Sequence, residues 1–72
     1  PEEKLTDLEL REALLKALKK LEKVEALVIQ LYYVEELNVF EIAKILELTN
    51  GRISQIKSAA IKKLRNQLKF IL

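Results

Sequence analysis

Cysteine, histidine, methionine and tryptophan are absent from this 72-residue chain, and glycine and proline occur once each. Without cysteine or histidine there is no disulfide, no thiolate nucleophile, no imidazole base and no ordinary zinc site, so neither metal nor other cofactor is expected. The missing cysteines fit a cytoplasmic protein. No uninterrupted apolar run approaches the ~20 residues that a membrane-spanning helix needs, and nothing resembles a signal peptide, so the expectation is a soluble protein. With so few helix breakers the chain should be nearly all helix. Acidic residues are also missing from one region: none follows Glu47.

At this length the chain can form one small domain with one modest core, so residues 1–72 are taken as a single unit, and half of them are apolar. The start at Pro1, with no initiator methionine, suggests a fragment of something longer. Pro1 to Lys4 is polar and expected to fray. Thr6 followed by Glu9 is a capping box, with Leu5 and Leu10 as its staple, so a first helix should start near Asp7 and run through Leu10, Leu14, Ala17, Leu18 and Leu21. Leu10, Leu14, Ala17, Leu21, Val24, Val28 and Leu31 continue one pattern without a break. That permits one long helix, even a heptad seam. A bend near Lys20 to Lys23 is the reading preferred here, because a domain this small must fold its helices together to bury their stripes. A second helix over about Val24 to Glu35 would turn Val24, Leu27, Val28, Leu31 and Tyr32 inward. Tyr32 and Tyr33 could be a base-stacking pair, but adjacent helical residues point about 100° apart, so core and boundary packing is the better account. Glu35 and Glu36 read as a solvated helix end, since no cleft or nucleophile accompanies these carboxylates.

The stretch from Asn38 to Lys57 organises the rest. Asn38 with Glu41 forms another capping box, stapled by Leu37 and Ile42, and Thr49 is a cap for a further helix, with Leu48 and Ile53 as staple. Ile42, Ile45 and Leu46 share one face of the first of these helices; Ile53, Ile56, Ala60 and Leu64 share one face of the next. Ala43 leaves room for a close crossing, and Leu48 is placed as a plug in the turn. These offsets match a helix-turn-helix. Glu47 holds the place where a glycine usually makes the turn, and a non-glycine residue takes the left-handed conformation only at some cost. The expected fold is therefore all-α: a small four-helix domain containing a helix-turn-helix with a long C-terminal recognition helix, about Asn50 to Lys69.

Charge is divided along the chain. Residues 1–47 carry seven Lys/Arg against all eleven Asp/Glu, whereas residues 48–72 carry six Lys/Arg and no acid. A cationic element of this kind suits a polyanion, or equally a solvated helix end favoured by the helix dipole. Its coincidence with a helix-turn-helix turns the reading toward DNA. On the last helix Asn50, Gly51, Ser54, Gln55 and Ser58 form the exposed N-terminal face. A helix fits the major groove, and Asn or Gln there can bond bidentately to adenine. Arg52, Lys57 and Lys62 would sit toward phosphates, setting register rather than reading sequence. Gly51 contributes no side chain and either weakens the helix or permits close backbone approach. Phe70, Ile71 and Leu72 end the chain as an apolar tail that would close over the first helix or contact a protein.

The run LVIQLYYVEELNVFEIAKILELTNGRISQIKSAAIKKLR, Leu27 to Arg65, closely resembles the fourth conserved region of bacterial sigma factors, especially the flagellar class. The resemblance rests on LYYVEELN, EIAKILELT and RISQIKSAAIKKLR. It implies a bacterial, cytoplasmic module that reads the promoter −35 element, docks on the β flap of RNA polymerase and is held by an anti-sigma factor. By the same resemblance the base-reading positions fall on Asn50, Gly51, Ser54 and Gln55, with Thr49 and Arg52 beside them. Asn50 and Gly51 stand where relatives often carry longer side chains, and Glu22 replaces a proline common at that bend.

Other classes remain open. A response-regulator output domain has a similar helix arrangement but would bind paired half-sites as a dimer, whereas a sigma module is expected to be monomeric alone. A protein-interaction module would use the leucine-rich first half and ignore DNA, and a cationic amphipathic helix could lie on anionic membranes, although Ser, Asn and Gln are more frequent here than that requires. An enzyme is not expected: no phosphate loop or paired nucleophile is present.

Overall fold

The computed structural model describes residues 5–69. Four α-helices follow one another as α1 (Asp7–Lys19), α2 (Lys23–Ile29), α3 (Val39–Leu46) and α4 (Asn50–Gln67), and α2 continues directly into a π-helical segment, Gln30–Val34. No strand forms among the described residues. The apolar tail Phe70 to Leu72 and the polar start Pro1 to Lys4 lie outside them.

Local hydrogen bonds set the helix starts. The Thr6 amide donates to Glu9 Oε1 at 2.9 Å while the Thr6 hydroxyl accepts from the Glu9 amide at 3.1 Å. Asn38 and Glu41 repeat this box at 2.8 and 2.9 Å. Each box satisfies amides that the first helical turn leaves without partners. α1 ends at Lys19 and α2 begins at Lys23, so the bend falls where the sequence suggested it, without glycine or proline. There the Glu22 amide donates to Glu25 Oε1 at 2.9 Å, and that acidic partner supports the new helix start.

α4 packs against each of the other helices. Its buried residues are Ile53, Ile56 and Ala60. Ile53 and Ile56 join Val28 of α2 with Ile42 and Ala43 of α3 in one core, edged by Val24, Leu31, Tyr32, Leu37, Val39 and Leu46. Burying side chains of this size contributes about 1.5–3 kcal/mol each for the largest of them. Ala43 is buried in that cluster beside Ile53 and Ile56 of α4.

Several stripes face elsewhere than periodicity suggests. Ile45 is exposed, and Leu48 is too open to serve as a plug. Leu27 is likewise exposed, as are Leu10 and Leu14 on α1. The cause is geometric: a stripe wide enough to meet two helices is buried only where a helix crosses it. The second helix also departs from a regular α-helix. The Glu35 amide donates to Gln30 O at 3.1 Å and the Leu37 amide to Leu31 O at 3.0 Å, so its last turn is wound wider. Glu36 then turns the chain at φ 60.

Glu47 sits at φ 58 and ψ 44, in the left-handed conformation. The turn keeps the geometry that glycine usually supplies and bears the steric cost of a Cβ there, about 1–2 kcal/mol. The Leu48 amide closes it by donating to Ala43 O at 3.0 Å.

Glu25 is buried, four residues after Leu21 and three before Val28 in the inward stripe. Its Oε1 accepts from the Glu22 amide and from Lys63 Nζ, each at 2.9 Å, tying α2 to α4. The Glu22 amide, then Lys63, hold its carboxyl below the ordinary carboxylate value. Stability from a carboxylate lowered in this way is complete above the unfolded pKa and is lost as pH falls through the folded one. Glu25→Gln is therefore expected to flatten the acid limb of the stability profile below about pH 4.3. Urea midpoints measured from pH 3 to 7 would show it. Equal acid sensitivity in both proteins would assign that limb to other carboxylates.

Candidate nucleic-acid interface

Thr49 caps α4: its hydroxyl accepts from the Arg52 amide at 3.0 Å. Thr49 thus caps the helix while its side chain stays exposed. Beyond the cap, Asn50, Gly51, Arg52, Ser54, Gln55 and Ser58 are all exposed, and so is Lys62 further along. With 3.6 residues per turn, Gly51, Ser54, Gln55, Ser58 and Lys62 project from the side opposite Ile53, Ile56 and Ala60. The structure thus brings the short polar side chains onto one outward ridge. A Cβ built on Gly51 would meet nothing within 4 Å, so that part of the ridge is open.

Two cations of α4 are engaged by the domain itself. Lys57 is half-buried, and its Nζ lies 4.0 Å from the centroid of the Tyr32 ring. Lys63 pairs with Glu25 at 2.9 Å. Arg52, Lys62 and Arg65 are exposed. No acidic side chain occurs on α4, so the charges that this helix itself carries are all positive.

The cleft beside the start of α4 adds a residue that sequence reasoning missed. Phe40, Ala43, Lys44, Leu48, Thr49 and Asn50 line it, with Phe40 and Lys44 exposed one turn apart on α3. In helix-turn-helix domains generally the first helix crosses the nucleic-acid backbone, which makes the exposed Lys44 a candidate for such a contact. The available signal was Lys44 four residues after Phe40, on the side of α3 that leaves the core.

On another side of the domain α1, α2 and the C-terminal half of α4 enclose an apolar groove of about 380 Å³, lined by Leu14, Leu18, Ile29, Tyr33, Leu64 and Leu68 among others. Among the described residues no group of acidic, His or Cys side chains could hold a metal ion, and no helix is long and apolar enough to cross a membrane.

A capped helix with a polar, cation-flanked outward ridge, set across a smaller helix through a tight left-handed turn, defines a helix-turn-helix domain of the DNA-reading type. Residues 17–66 match the family described as sigma-70, region 4. The chain is 46% identical over 68 residues to the RNA polymerase sigma factor FliA of Escherichia coli strain K12, covering 94% of this chain and 28% of that protein. It is 43% identical over 72 residues to the RNA polymerase sigma-D factor of Bacillus subtilis strain 168, with 100% of this chain and 28% of that protein covered. It is also 42% identical over 64 residues to FliA of Pseudomonas aeruginosa, covering 89% and 26%. This chain belongs to the sigma-70 region 4 family, with flagellar-type relatives, and spans little more than a quarter of their length.

Proposed function

We propose that this domain recognises the promoter −35 element for a flagellar-class sigma factor and helps direct transcription initiation by RNA polymerase. The observation that carries this reading is the outward ridge of α4. Asn50, Ser54, Gln55 and Ser58 stand exposed together at the N-terminal half of a capped helix that bears no acid. In the major groove Gln55 and Asn50 would read base edges, Ser54 and Ser58 would assist, and Gly51 would let the backbone approach closely. Arg52, Lys57 and Lys62, joined by Arg65, would neutralise phosphates. The domain catalyses nothing; it positions the enzyme that does. Docking on the polymerase β flap, and capture by an anti-sigma factor, are assigned to the apolar groove lined by Leu14, Leu18, Ile29 and Leu64, which the other described residues leave uncovered and which is a surface of the sort that takes protein partners.

A titration against a duplex carrying a flagellar-type −35 element and a scrambled duplex tests this function. Preference for the first is expected, with log K falling against log salt at a slope of roughly −3.6 if four cations meet phosphates. The domain should bind as a monomer. Indifference to sequence and salt would refute the DNA reading, and dimeric binding to paired half-sites would favour the response-regulator type instead. So few contacts give modest affinity, which tethering to polymerase beside a second DNA-reading module would raise through effective concentration.

A further inference from the structure

We propose that Tyr32 is a positioning residue for DNA binding: its ring holds the Lys57 ammonium beside the recognition face in a fixed place with its charge intact. The inference rests on the DNA reading above.

The contrast between two lysines of α4 motivates it. Lys63 meets the Glu25 carboxylate at 2.9 Å, and its charge is neutralised within the fold. Lys57 meets a ring instead, with Nζ 4.0 Å from the Tyr32 centroid. A carboxylate cancels a cation before any phosphate arrives, whereas the quadrupole of a ring face attracts the ammonium without removing net charge. Among the described residues the ion pair formed is Lys63 with Glu25, so Lys57 keeps a full positive charge for an outside anion.

The ring itself is held in place. Tyr32 packs at the edge of the core formed by Val28, Ile42 and Ile53. Tyr33 meets it edge-on, with centroids 4.8 Å apart and planes at 78°. Both tyrosines lie in the π-helical segment, Gln30–Val34. Single π turns inside α-helices are frequent at functional sites. Lys57 follows Ser54 by three residues and the buried Ile53 by four, so it stands at the boundary between the core side and the outward side of α4, where the pinned ammonium flanks the base-reading ridge. A flexible lysine must give up rotamer freedom to meet a phosphate; a pinned one has already done so.

The test is a double-mutant cycle on the chain as it stands, titrated with the −35 duplex and the scrambled duplex. Tyr32→Leu should weaken binding to both by about two- to fivefold, the strength of an exposed cation–π contact. Tyr32→Phe should bind as the wild type does. In a Lys57→Gln background Tyr32→Leu should have no further effect. Unchanged or tighter binding by Tyr32→Leu would overturn the proposal, and so would a full second loss in the Lys57→Gln background, which would make the ring mere packing. The Lys57 Hε resonances of the wild type give a second measure that needs no variant to fold. A ring-current shift should be present in the free protein and persist with duplex bound; its disappearance on binding also overturns the assignment. If the wild type binds neither duplex, the DNA reading falls with this one. If it binds with a negative salt slope but the cycle shows no coupling, only the role of Tyr32 falls.

Discussion

Ile53→Ala is expected to destabilise the domain by about 2–5 kcal/mol, the range for emptying a fully buried branched side chain. Ile53 is fully buried where α4 meets α3, in the cluster with Val28, Ile42, Ala43 and Ile56. A chain of this length has roughly 4–11 kcal/mol of total stability at ordinary values per residue, so the substitution removes a large part of it. The core is too small for neighbours to close the cavity without shifting a whole helix. The urea midpoint followed by circular dichroism should fall with the slope unchanged. A loss below about 1 kcal/mol would show that α3 and α4 settle together around the smaller residue, and that Ile53 does not set their crossing. A lower folded fraction should weaken binding to promoter and scrambled duplex in the same proportion, so promoter preference changes only if the angle between these helices, which aims the outward ridge, shifts as well.

Gln55→Ala should have the largest effect on recognition. A bidentate contact to a base contributes about 1–3 kcal/mol of discrimination, so the ratio of promoter to scrambled affinity should shrink by roughly 5- to 150-fold. Ser54→Ala should act in the same direction with a smaller effect, having one hydroxyl to lose. Lys57→Ala and Lys62→Ala should instead weaken both duplexes about equally, each lowering the magnitude of the salt slope by about 0.9. The contrast between the two kinds of substitution is the decisive feature. If Gln55→Ala and Lys62→Ala reduced both affinities in the same proportion, Gln55 would be a backbone contact and the base-reading ridge would have to be sought elsewhere on α4.

Much of the fold was legible because its signals are local. A capping box is a hydrogen-bonded exchange between residues three apart, so Thr6 with Glu9 and Asn38 with Glu41 could be read directly, as could the Thr49 cap. The outward ridge was legible for the same reason. Gly51, Ser54, Gln55 and Ser58 are placed by helical spacing opposite Ile53 and Ile56, with Asn50 beside them at the helix start, and these residues came out exposed as spaced. Glu47 was legible as a departure from the usual turn glycine, though the sequence could not say whether the turn would change or the glutamate would accept φ 58. It accepts it, because closing α3 onto α4 around Ile42 and Ile53 outweighs the strain of one residue.

Other features depended on which surfaces met. Ile45, Leu48 and Leu27 belong to apolar stripes by spacing yet are exposed, since periodicity marks a stripe but not which edge a partner covers. Glu25 was missed because a charged residue among leucines and valines reads as an interruption; its partner Lys63 stands 38 residues away. Lys57 could be read as a cation near phosphates but not as one pinned on a ring, because Tyr32 stands 25 residues earlier and meets it only once the helices have packed.

What the sequence by itself determined is the set of helices, their caps, the chemistry of the outward face of α4 and the absence of thiol and imidazole chemistry, all consequences of residue identity and short-range spacing. What only the tertiary structure decided is which cations of α4 the fold itself engages, which leucines line the groove and how the turn at Glu47 is made. Those outcomes are settled by contacts between residues far apart in the chain, and such contacts exist only once the helices have packed.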